Sequence, residues 1–520
     1  MQLGGLWKES GVPECGMNYV FRMPQNPKSK PDDRPQHEPD SGANSTSFPS
    51  GGRLHAIGSN FLAIRLNDDP AECRIPGELR SSEINKSKCI WSRRHGVNTT
   101  RPLTPIQSSK VGESASLHWY RGFMPTFALT TEIATTVLVT ASMVYCLLVL
   151  WSAASFRSYA RGYARLPEFA PGVSILKPVK GFDEGMYEAF RSHCLQEYAG
   201  EFELIFGAGS EDDPAVAAVR RLQAEFPDRA IRLVICRQRL GTNGKVSNLI
   251  QMLPQAKHEF LLINDSDIRV SPLYMERVMR QFSAPGAKPV GMVTALYRGQ
   301  ASRTSSGGLK LGGILEALGI STDFQPGVLV ARVVESGIHF GLGSTLCVRR
   351  DALAAAGGFE GLVDQLADDY EMGARIAAAG YSIRLATEVV ETSIPAYGLS
   401  GFWSHQLRWA RTVRDSRRWG YVGLLFTHTL PLALANVAAS GVSFWSVWLL
   451  FLAYLLRLAI ALQVGVGVLR DGQVLRDLWL LPVRDVVGFA VWIWSFAGNT
   501  IEWRGERFVL KAGKLIPHKR

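Results

Sequence analysis

Leu261-Leu262-Ile263-Asn264-Asp265-Ser266-Asp267 decides the fold of this chain: an apolar run that stops at two carboxylates spaced i, i+2. A short apolar run reads as a buried strand, and the carboxyl end of such a strand is where open α/β sheets place their ligands. Two aspartates there call for a charge-balancing partner, because burying unpaired carboxylates is very costly. A divalent cation, Mg²⁺ or Mn²⁺, carrying a diphosphate meets that need, since hard cations use one or two carboxylates together with substrate phosphates. A turn or a helix N-cap explains the same letters, because Asp and Ser favour both.

Around this stretch, from Val173 to about Arg418, strand-like and helix-like patterns alternate, the signature of an α/β layer. Strands are expected at Val173–Leu176, Phe202–Phe206, Ile231–Ile235, Phe260–Ile263, Gly291–Ala295 and Thr345–Val348. Helices are expected at Asp213–Glu225 and Pro272–Phe282, the second with Ser271 as N-cap and Pro272 at its first position.

The flanks differ from this block. Ile133–Phe156 is 24 residues without a charge, enough to cross a bilayer core of roughly 30 Å, so a transmembrane helix is expected over 130–156. Arg157, Arg161 and Arg165 follow it while only Arg121 lies close on the other side, which puts the next segment in the cytosol. Gly420–Leu469 carries one charge, Arg457, and has room for two spans, with Pro431 as a kink. Val486–Ile501 is uncharged but short for a span, so a re-entrant or interfacial segment competes with a crossing over 420–505. The basic tail over 506–520, and Arg504 just before it, prefer the cytosol, which favours the non-crossing reading. Residues 1–120 read as a disordered extension, rich in Pro, Ser, Asn, Gly and charge between Met23 and Ser50, with no signal-peptide pattern. Its two sequons, Asn44 and Asn98, read as chance matches. The net charge of +11 suits an acidic membrane surface or a nucleotide phosphate, and no nucleic-acid motif accompanies it. The seven cysteines form neither a CxxC nor a zinc spacing and read as reduced thiols.

Four features of the 170–418 block carry chemistry: Ser210-Glu211-Asp212-Asp213-Pro214, the Asp265/Asp267 pair, Ala367-Asp368-Asp369-Tyr370-Glu371, and Trp403-Ser404-His405-Gln406-Leu407-Arg408-Trp409. Together they make sense as a nucleotide-sugar site. A metal neutralises a leaving diphosphate, a carboxylate takes a proton from an acceptor hydroxyl, arginine grips phosphate oxygens, and tryptophan supplies a flat wall.

On these motifs, with Ser174-Ile175-Leu176-Lys177-Pro178-Val179-Lys180-Gly181 and Asp265-Ser266-Asp267-Ile268-Arg269-Val270, residues 173–418 resemble the membrane glycosyltransferases of the ceramide glucosyltransferase family. With the membrane architecture the resemblance covers roughly residues 125–510. It implies an α/β, GT-A (nucleotide-diphospho-sugar transferase) Rossmann-like domain with flanking transmembrane helices. It implies that Asp213 helps bind the nucleotide, that Asp265 contacts the ribose and diphosphate, and that Asp267, with Asp265, ligates the metal. Asp369 is implied as the general base, against the alternative of a helix N-cap. Asp368 stands beside it as a helper or as a solvated first-turn carboxylate, and Asp212 is a turn residue or a nucleotide contact. Arg408 and Trp409 close over the diphosphate and the acceptor entrance, or anchor the membrane interface together with Arg411, Arg414, Arg417 and Arg418. Lys245, in Gly241-Thr242-Asn243-Gly244-Lys245, meets a phosphate or is a surface loop lysine. Gly341-Leu342-Gly343-Ser344 forms a backbone wall near the donor sugar or a tight turn.

Two departures bear on identity. His405 stands where the family has Gln or Arg. Asp267 stands where the animal ceramide enzymes have Gly, so the motifs are similar to the bacterial hopanoid branch, which attaches N-acetylglucosamine to a hopanoid polyol. Three rivals are weaker. A dinucleotide fingerprint at Gly207-Ala208-Gly209 lacks its third glycine, because position 212 is Asp. A processive polysaccharide synthase needs more spans than are visible, and a transporter needs more intramembrane charge than Arg457. The expectation is a multi-pass membrane enzyme, with its catalytic domain in the cytosol of a bacterium. It transfers glucose or N-acetylglucosamine from a UDP-sugar to a ceramide-like or hopanoid lipid hydroxyl with inversion.

Overall fold

Strands β1 (Val173–Val179), β2 (Phe202–Ala208), β3 (Ile231–Ile235) and β4 (Phe260–Ile263) pair in parallel in the order β3-β2-β1-β4. Helices Met186–Cys194, Pro214–Glu225 and Gly244–Met252 run in their connections. The other half is mixed, with β5 (Ile268–Arg269), β6 (Val290–Ala301), β7 (Leu346–Arg349) and β8 (Ser382–Ile394) completing an eight-stranded sheet, β3-β2-β1-β4-β7-β6-β8-β5. This is a Rossmann-like arrangement of an α/β domain. The structure is a computed structural model that describes residues 113–163, 165–304, 307–503 and 505–517, with side chains from residue 128 onward. Nearly all of the extension expected over 1–120 lies outside the described residues, as do Asn44, Asn98 and the first three cysteines. A helix is already under way at Glu113.

Side-chain alternation explains why the parallel strands read as mostly apolar runs. Leu176, Ile205, Leu261 and Ile263 enter one buried cluster, while Ile175, Leu204, Phe206 and Leu262 enter another on the opposite face. Both faces of this part of the sheet are covered, so the polar side chains buried in these strands, Ser174, Lys177 and Glu203, are each bonded within the fold. β4 is buried along its whole length, and the chain leaves the sheet at Asn264, delivering Asp265 and Asp267 to the carboxyl edge.

All six expected strands are present, β1, β2 and β6 longer than expected. Two more were not expected: β5 is only a residue pair, and β8 interleaves Arg384, Glu388 and Glu391 with its apolar residues. The helix start at Ser271 is corrected. The α-helix is Tyr274–Met279, continued by a 3₁₀ turn over Arg280–Ser283. Ser271 Oγ donates instead to Glu388 Oε1 at 2.7 Å, so it is not spent on a cap.

Three helices among the described residues are long and apolar enough to cross a membrane: Ala128–Tyr163, Phe444–Val466 and Gly472–Ser495. A further pair, Arg418–Thr427 and Thr429–Ala439, is bent by 64°. The bend falls at His428, next to Thr427, whose carbonyl the Pro431 ring would strike in a continuous helix. Thr429 meets Ser142 and Cys146 of the first helix, and Asn436 meets Thr135 and Thr136, so Thr429–Ala439 runs antiparallel to it. Helix Gly472–Ser495 is fastened to the α/β domain and its C-terminal helix at both ends. Gln473 donates to Gly299 O at 2.7 Å, and Arg414 donates to Ser495 O. Arg457 is not isolated: its guanidinium forms a two-pronged pair with Asp485 at 2.7 Å on each arm.

The segment read as a basic tail is folded. β9 (Thr500–Trp503), β10 (Glu506–Lys511) and β11 (Lys514–Pro517) form an antiparallel sheet. Ile501, Phe508, Leu510 and Leu515 form its apolar face and pack on Leu366. Backbone bonds from Leu366 N to Gly513 O (3.1 Å) and from Leu515 N to Asp364 O (2.9 Å) join this sheet to the loop that leads into Asp368–Asp369.

Helix Asp368–Ala378 packs so closely on the Phe340–Gly341 backbone that a Cβ at Gly373 would lie 2.3 Å from Gly341 N. Gly373→Ala is therefore expected to destabilise the chain by about 1–3 kcal/mol, the usual range for overpacking. Thermal unfolding in detergent checks this, and an unchanged transition would show that the helix is not seated there.

Candidate functional site

The site is built on a turn held from below. Asn264, fully buried, donates to Tyr274 Oη at 3.0 Å and to Ser344 O at 2.6 Å, and its Oδ1 lies 3.1 Å from His193 Nε2. These bonds lock the exit from β4 and satisfy a polar side chain that would be costly if left unpaired. Ser266 Oγ donates to Asp183 Oδ2 at 2.8 Å, which turns the flanking Asp265 and Asp267 away from the core.

Asp267 accepts a hydrogen bond from Thr392 Oγ1 of β8. Burial, and after it the neighbouring Asp265 charge, push its pKa up to about 6. Asp265 is more open, and its Oδ1 pairs with Lys245 Nζ at 2.8 Å. Lys245 also lies 3.2 Å from Asp368 Oδ2. The three carboxylates Asp265, Asp368 and Asp369 hold its ammonium well above the ordinary lysine range despite burial. Lys245 stands in the first turn of helix Gly244–Met252. The Asn243 side chain caps that helix by accepting from Val246 N, and it donates to Gln365 O at 2.7 Å and to Asp368 Oδ1 at 3.2 Å. The surface-loop alternative for Lys245 gives way to an ion pair between two acidic motifs.

Asp369 lies across the site. Its Oδ2 accepts from Gly343 N at 2.7 Å and its Oδ1 from Tyr370 N at 2.8 Å. Burial, and then the adjacent Asp368, raise its pKa to about 6. Asp369 lies inside helix Asp368–Ala378 and Ala367 holds the N-cap position, so Asp369 is not the cap. The turn Leu342–Thr345 closes with a 2.9 Å bond, and Gly343 within it faces two carboxylates. A Cβ there would stand 2.9 Å from Asp265 Oδ2 and 3.2 Å from Asp369 Oδ2. The structure shows the tight turn of the two alternatives.

Asp213 serves structure with one oxygen. Its Oδ1 accepts from Ala215 N (2.9 Å), capping helix Pro214–Glu225, and from Gly181 N (2.8 Å) just beyond β1. Gly181 takes a left-handed φ of 74°, which suits glycine. The Arg408–Trp409 motif sits on helix Leu399–Ser416. Trp409 packs on Phe324 (6.1 Å between centroids), and Phe324 on Tyr297 of β6 (5.7 Å). His405 faces Trp409 at 5.2 Å, and its Nδ1 lies 2.9 Å from the buried Glu316. Tyr297 is held protonated by burial and then by the charges of Asp369, Glu316, Asp265 and Asp267. The aromatic row thereby runs from Trp409 to a tyrosine that feels the charge of the acidic cluster. Arg411 and Arg414 grip the carbonyls of Ala497 and Ser495, and Arg417 pairs with Glu335.

Sequence reasoning did not single out Tyr297, Thr392 or Lys177. Lys177 is fully buried under the turn, with Nζ 3.2 Å from Asp265 O. Burial lowers its pKa to about 7, against the pull of Asp267 and Asp265. A lysine inside an otherwise apolar strand was the available signal. Among the described residues no group of three or more His, Cys, Asp or Glu side chains is placed to hold a metal. The Asp265/Asp267 pair fits a hard cation that draws its remaining ligands from a diphosphate.

Residues 134–516 match glycosyl transferase family 21. Ceramide glucosyltransferase 3 of Caenorhabditis elegans is 23% identical over 401 residues, covering 72% of this chain and 81% of that protein. Ceramide glucosyltransferase 1 of the same organism is 23% identical over 421 residues, covering 77% and 84%. Among solved structures, the mannosyltransferase PcManGT from Pyrobaculum calidifontis in complex with GDP-Man and Mn²⁺ is 20% identical with a TM-score of 0.41, covering 70% of this chain and 99% of that one.

Because the folded pKa of Lys177 lies below its ordinary value of 10.5, the unfolded chain binds more protons between about pH 7 and 10.5. Stability from this group is therefore gained as pH rises through that window and lost as pH falls through about 7. Lys177→Met is expected to remove this slope, worth up to a few kcal/mol at about 1.4 kcal/mol per pKa unit. Denaturant unfolding across that pH range checks it, and parallel stability profiles for the two proteins would contradict a buried, titrating lysine.

Proposed function

The chain belongs to glycosyl transferase family 21, and we propose that it transfers a hexose, glucose or N-acetylglucosamine, from a UDP-sugar to a lipid hydroxyl with inversion. The observation that carries this reading is the convergence of Asp265 and Asp369 on the bare backbone of Gly343. A donor-side carboxylate and a base of raised pKa share one open corner at the carboxyl edge of the sheet. The lipid acceptor draws support from the relatives named ceramide glucosyltransferases and from the membrane-length helices beside the site.

In this reading Asp369 is the base. Bonds from Gly343 N and Tyr370 N fix its carboxylate, which takes the acceptor hydroxyl proton as the oxygen attacks the anomeric carbon and the nucleoside diphosphate leaves. A pKa of about 6 leaves it ionised at neutral pH yet basic enough for proton transfer. One carboxylate base on the acceptor side, with no second nucleophile invoked, corresponds to a single in-line displacement and inversion. Asp265 and Asp267 would hold a divalent cation, which when bound supplies neutralising charge to the diphosphate. Lys245 adds a point charge on the same side, Asp213 lines the nucleotide end, and Arg408 with Trp409 closes over diphosphate and acceptor.

The catalytic domain sits on the cytosolic side, following Arg157, Arg161 and Arg165. Helix Gly472–Ser495 is a re-entrant segment in this reading, a choice supported by the bonds of both its ends to the same domain and by the Arg457–Asp485 pair at its middle. That leaves the folded C-terminal sheet on the same side as the site it touches.

Asp369→Asn is expected to cut transfer by about 10²–10⁴-fold, the usual contribution of a general base, while donor binding stays near wild type. Near-normal turnover would remove Asp369 from the base role. For the wild type, kcat should fall as pH drops through about 6, as Asp369 takes up its proton; a flat profile between pH 5 and 7 would count against it.

Chelation is expected to stop transfer, and Asp267→Asn to raise the metal concentration needed for half-maximal rate; turnover indifferent to metal would discard the ligand assignment. Membranes offered UDP-glucose or UDP-N-acetylglucosamine with ceramide or bacteriohopanetetrol identify the substrates. Sugar appearing only on a growing polymer would overturn the lipid assignment.

A further inference from the structure

A cavity of about 650 Å³ lies where two membrane-length helices meet the catalytic domain, and none of Asp265, Asp267, Thr392 or Asp369 lines it. Its walls are Phe156–Ala160 at the end of the first helix, the Arg269–Pro272 segment after β5, β8, and the Gly467–Arg470 loop after helix Phe444–Val466. Five arginines and two glutamates line it.

The glutamates are already spent. Glu388 pairs with Arg277, and Glu391 with Arg298 at 2.6 Å. Among the described residues, Arg157, Arg269 and Arg470 have no carboxylate within ion-pair distance, and all three are exposed to the cavity side. The loop is held in place to present them. Arg298 donates to Leu469 O at 3.0 Å and to Arg470 O at 2.7 Å. Arg470 itself takes a φ of 54°, a left-handed conformation that a non-glycine residue keeps only where its surroundings impose it. Arg157 reaches the same loop, its Nη1 3.3 Å from where a Cβ at Gly467 would stand.

Position selects the ligand. Ile133–Phe156 carries no charge and Arg157 is the first charged residue after it. The cavity therefore opens at the level where lipid phosphates lie. Surplus guanidinium groups at that depth match a phosphodiester, which arginine grips with two parallel hydrogen bonds.

We propose that this cavity binds the phosphodiester headgroup of an anionic bilayer lipid, at a site separate from the one that handles donor and acceptor. The occupied cavity ties the first helix, the Gly467–Arg470 loop and strands β5 and β8 to one headgroup.

The test uses the full chain in bilayers of phosphatidylcholine with one lipid in four replaced by phosphatidylglycerol, with bound lipid read by native mass spectrometry. The wild type is expected to retain phosphatidylglycerol over phosphatidylcholine. The double variant Arg157→Ala/Arg470→Ala should retain less, by about fivefold for each arginine removed, the equivalent of about 1 kcal/mol each. Transfer in phosphatidylcholine alone is expected to be unchanged, since neither residue belongs to the catalytic site. If the double variant fails to insert, Arg269→Gln provides the same comparison from a different element.

Equal retention by wild type and variants, or no preference for the anionic lipid, would overturn the proposal. A soluble arm separates the two sources of phosphate: inorganic phosphate added to protein in phosphatidylcholine alone should bind more weakly than the lipid. If it occupies the cavity as well as phosphatidylglycerol does, the lipid assignment fails.

Discussion

Four carboxylates, Asp265, Asp267, Asp368 and Asp369, crowd the carboxyl edge of the sheet against two lysines, Lys245 and Lys177. Charge of one sign at such density is tolerated only where backbone donors, hydroxyls and counter-ions meet it. Much of the local structure serves that need. Asn243 caps the helix that aims Lys245, Thr392 donates to Asp267, and Gly343 supplies a bare N–H to Asp369. The compensation stays incomplete at Asp267 and Asp369, whose pKa values both rise to about 6. Perturbed carboxylates gathered in one corner mark a candidate site, and here they stand at the sheet edge where open α/β sheets place ligands.

Legibility followed the physics of each element. β1 to β4 are mostly apolar because both faces are covered, so they are legible directly, and the aspartates just beyond the wholly apolar β4 stand out against them. β8 hid because its Arg384, bonded to Pro285 O, and its ion-paired Glu388 and Glu391 look like loop chemistry until their partners are in place. Ser271 offered a cap that the structure does not use, since a buried carboxylate on a distant strand competes for its hydroxyl. The site motifs were legible as acidic pairs. Lys177 and Tyr297 were not, because their meaning depends on strand neighbours and not on local spacing. In the final residues lysine and arginine neighbours mask the period-two pair Phe508 and Leu510, which packs with Leu515 of the next strand on Leu366.

The C-terminal sheet shows how the two ends of the block share one environment. Its backbone bonds to Asp364 and Leu366 hold the loop whose next residues are the acidic pair, and Gly513 N bonds to Asp415 of the Trp409 helix. One small sheet therefore restrains the acidic loop and the aromatic helix together. Contacts of this kind between distant segments restrict where Asp369 and Trp409 stand, and fixed placement is a large part of what a site contributes to rate.

Arg457 makes the same point inside the apolar layer. A charge there is a functional candidate by default, and a transporter reading would lean on it. Its guanidinium is instead fully engaged, two arms on Asp485 and a third bond to Thr322 O at 3.0 Å. Thr322 lies in the π-helical turn Ile320–Phe324, whose wider winding changes which carbonyls remain available. Phe324 ends that turn and packs between Tyr297 and Trp409. The buried arginine thus fixes the segment that carries the central ring of the aromatic row, and its charge is used to seat the catalytic domain on its membrane helices, leaving none to line a path between them.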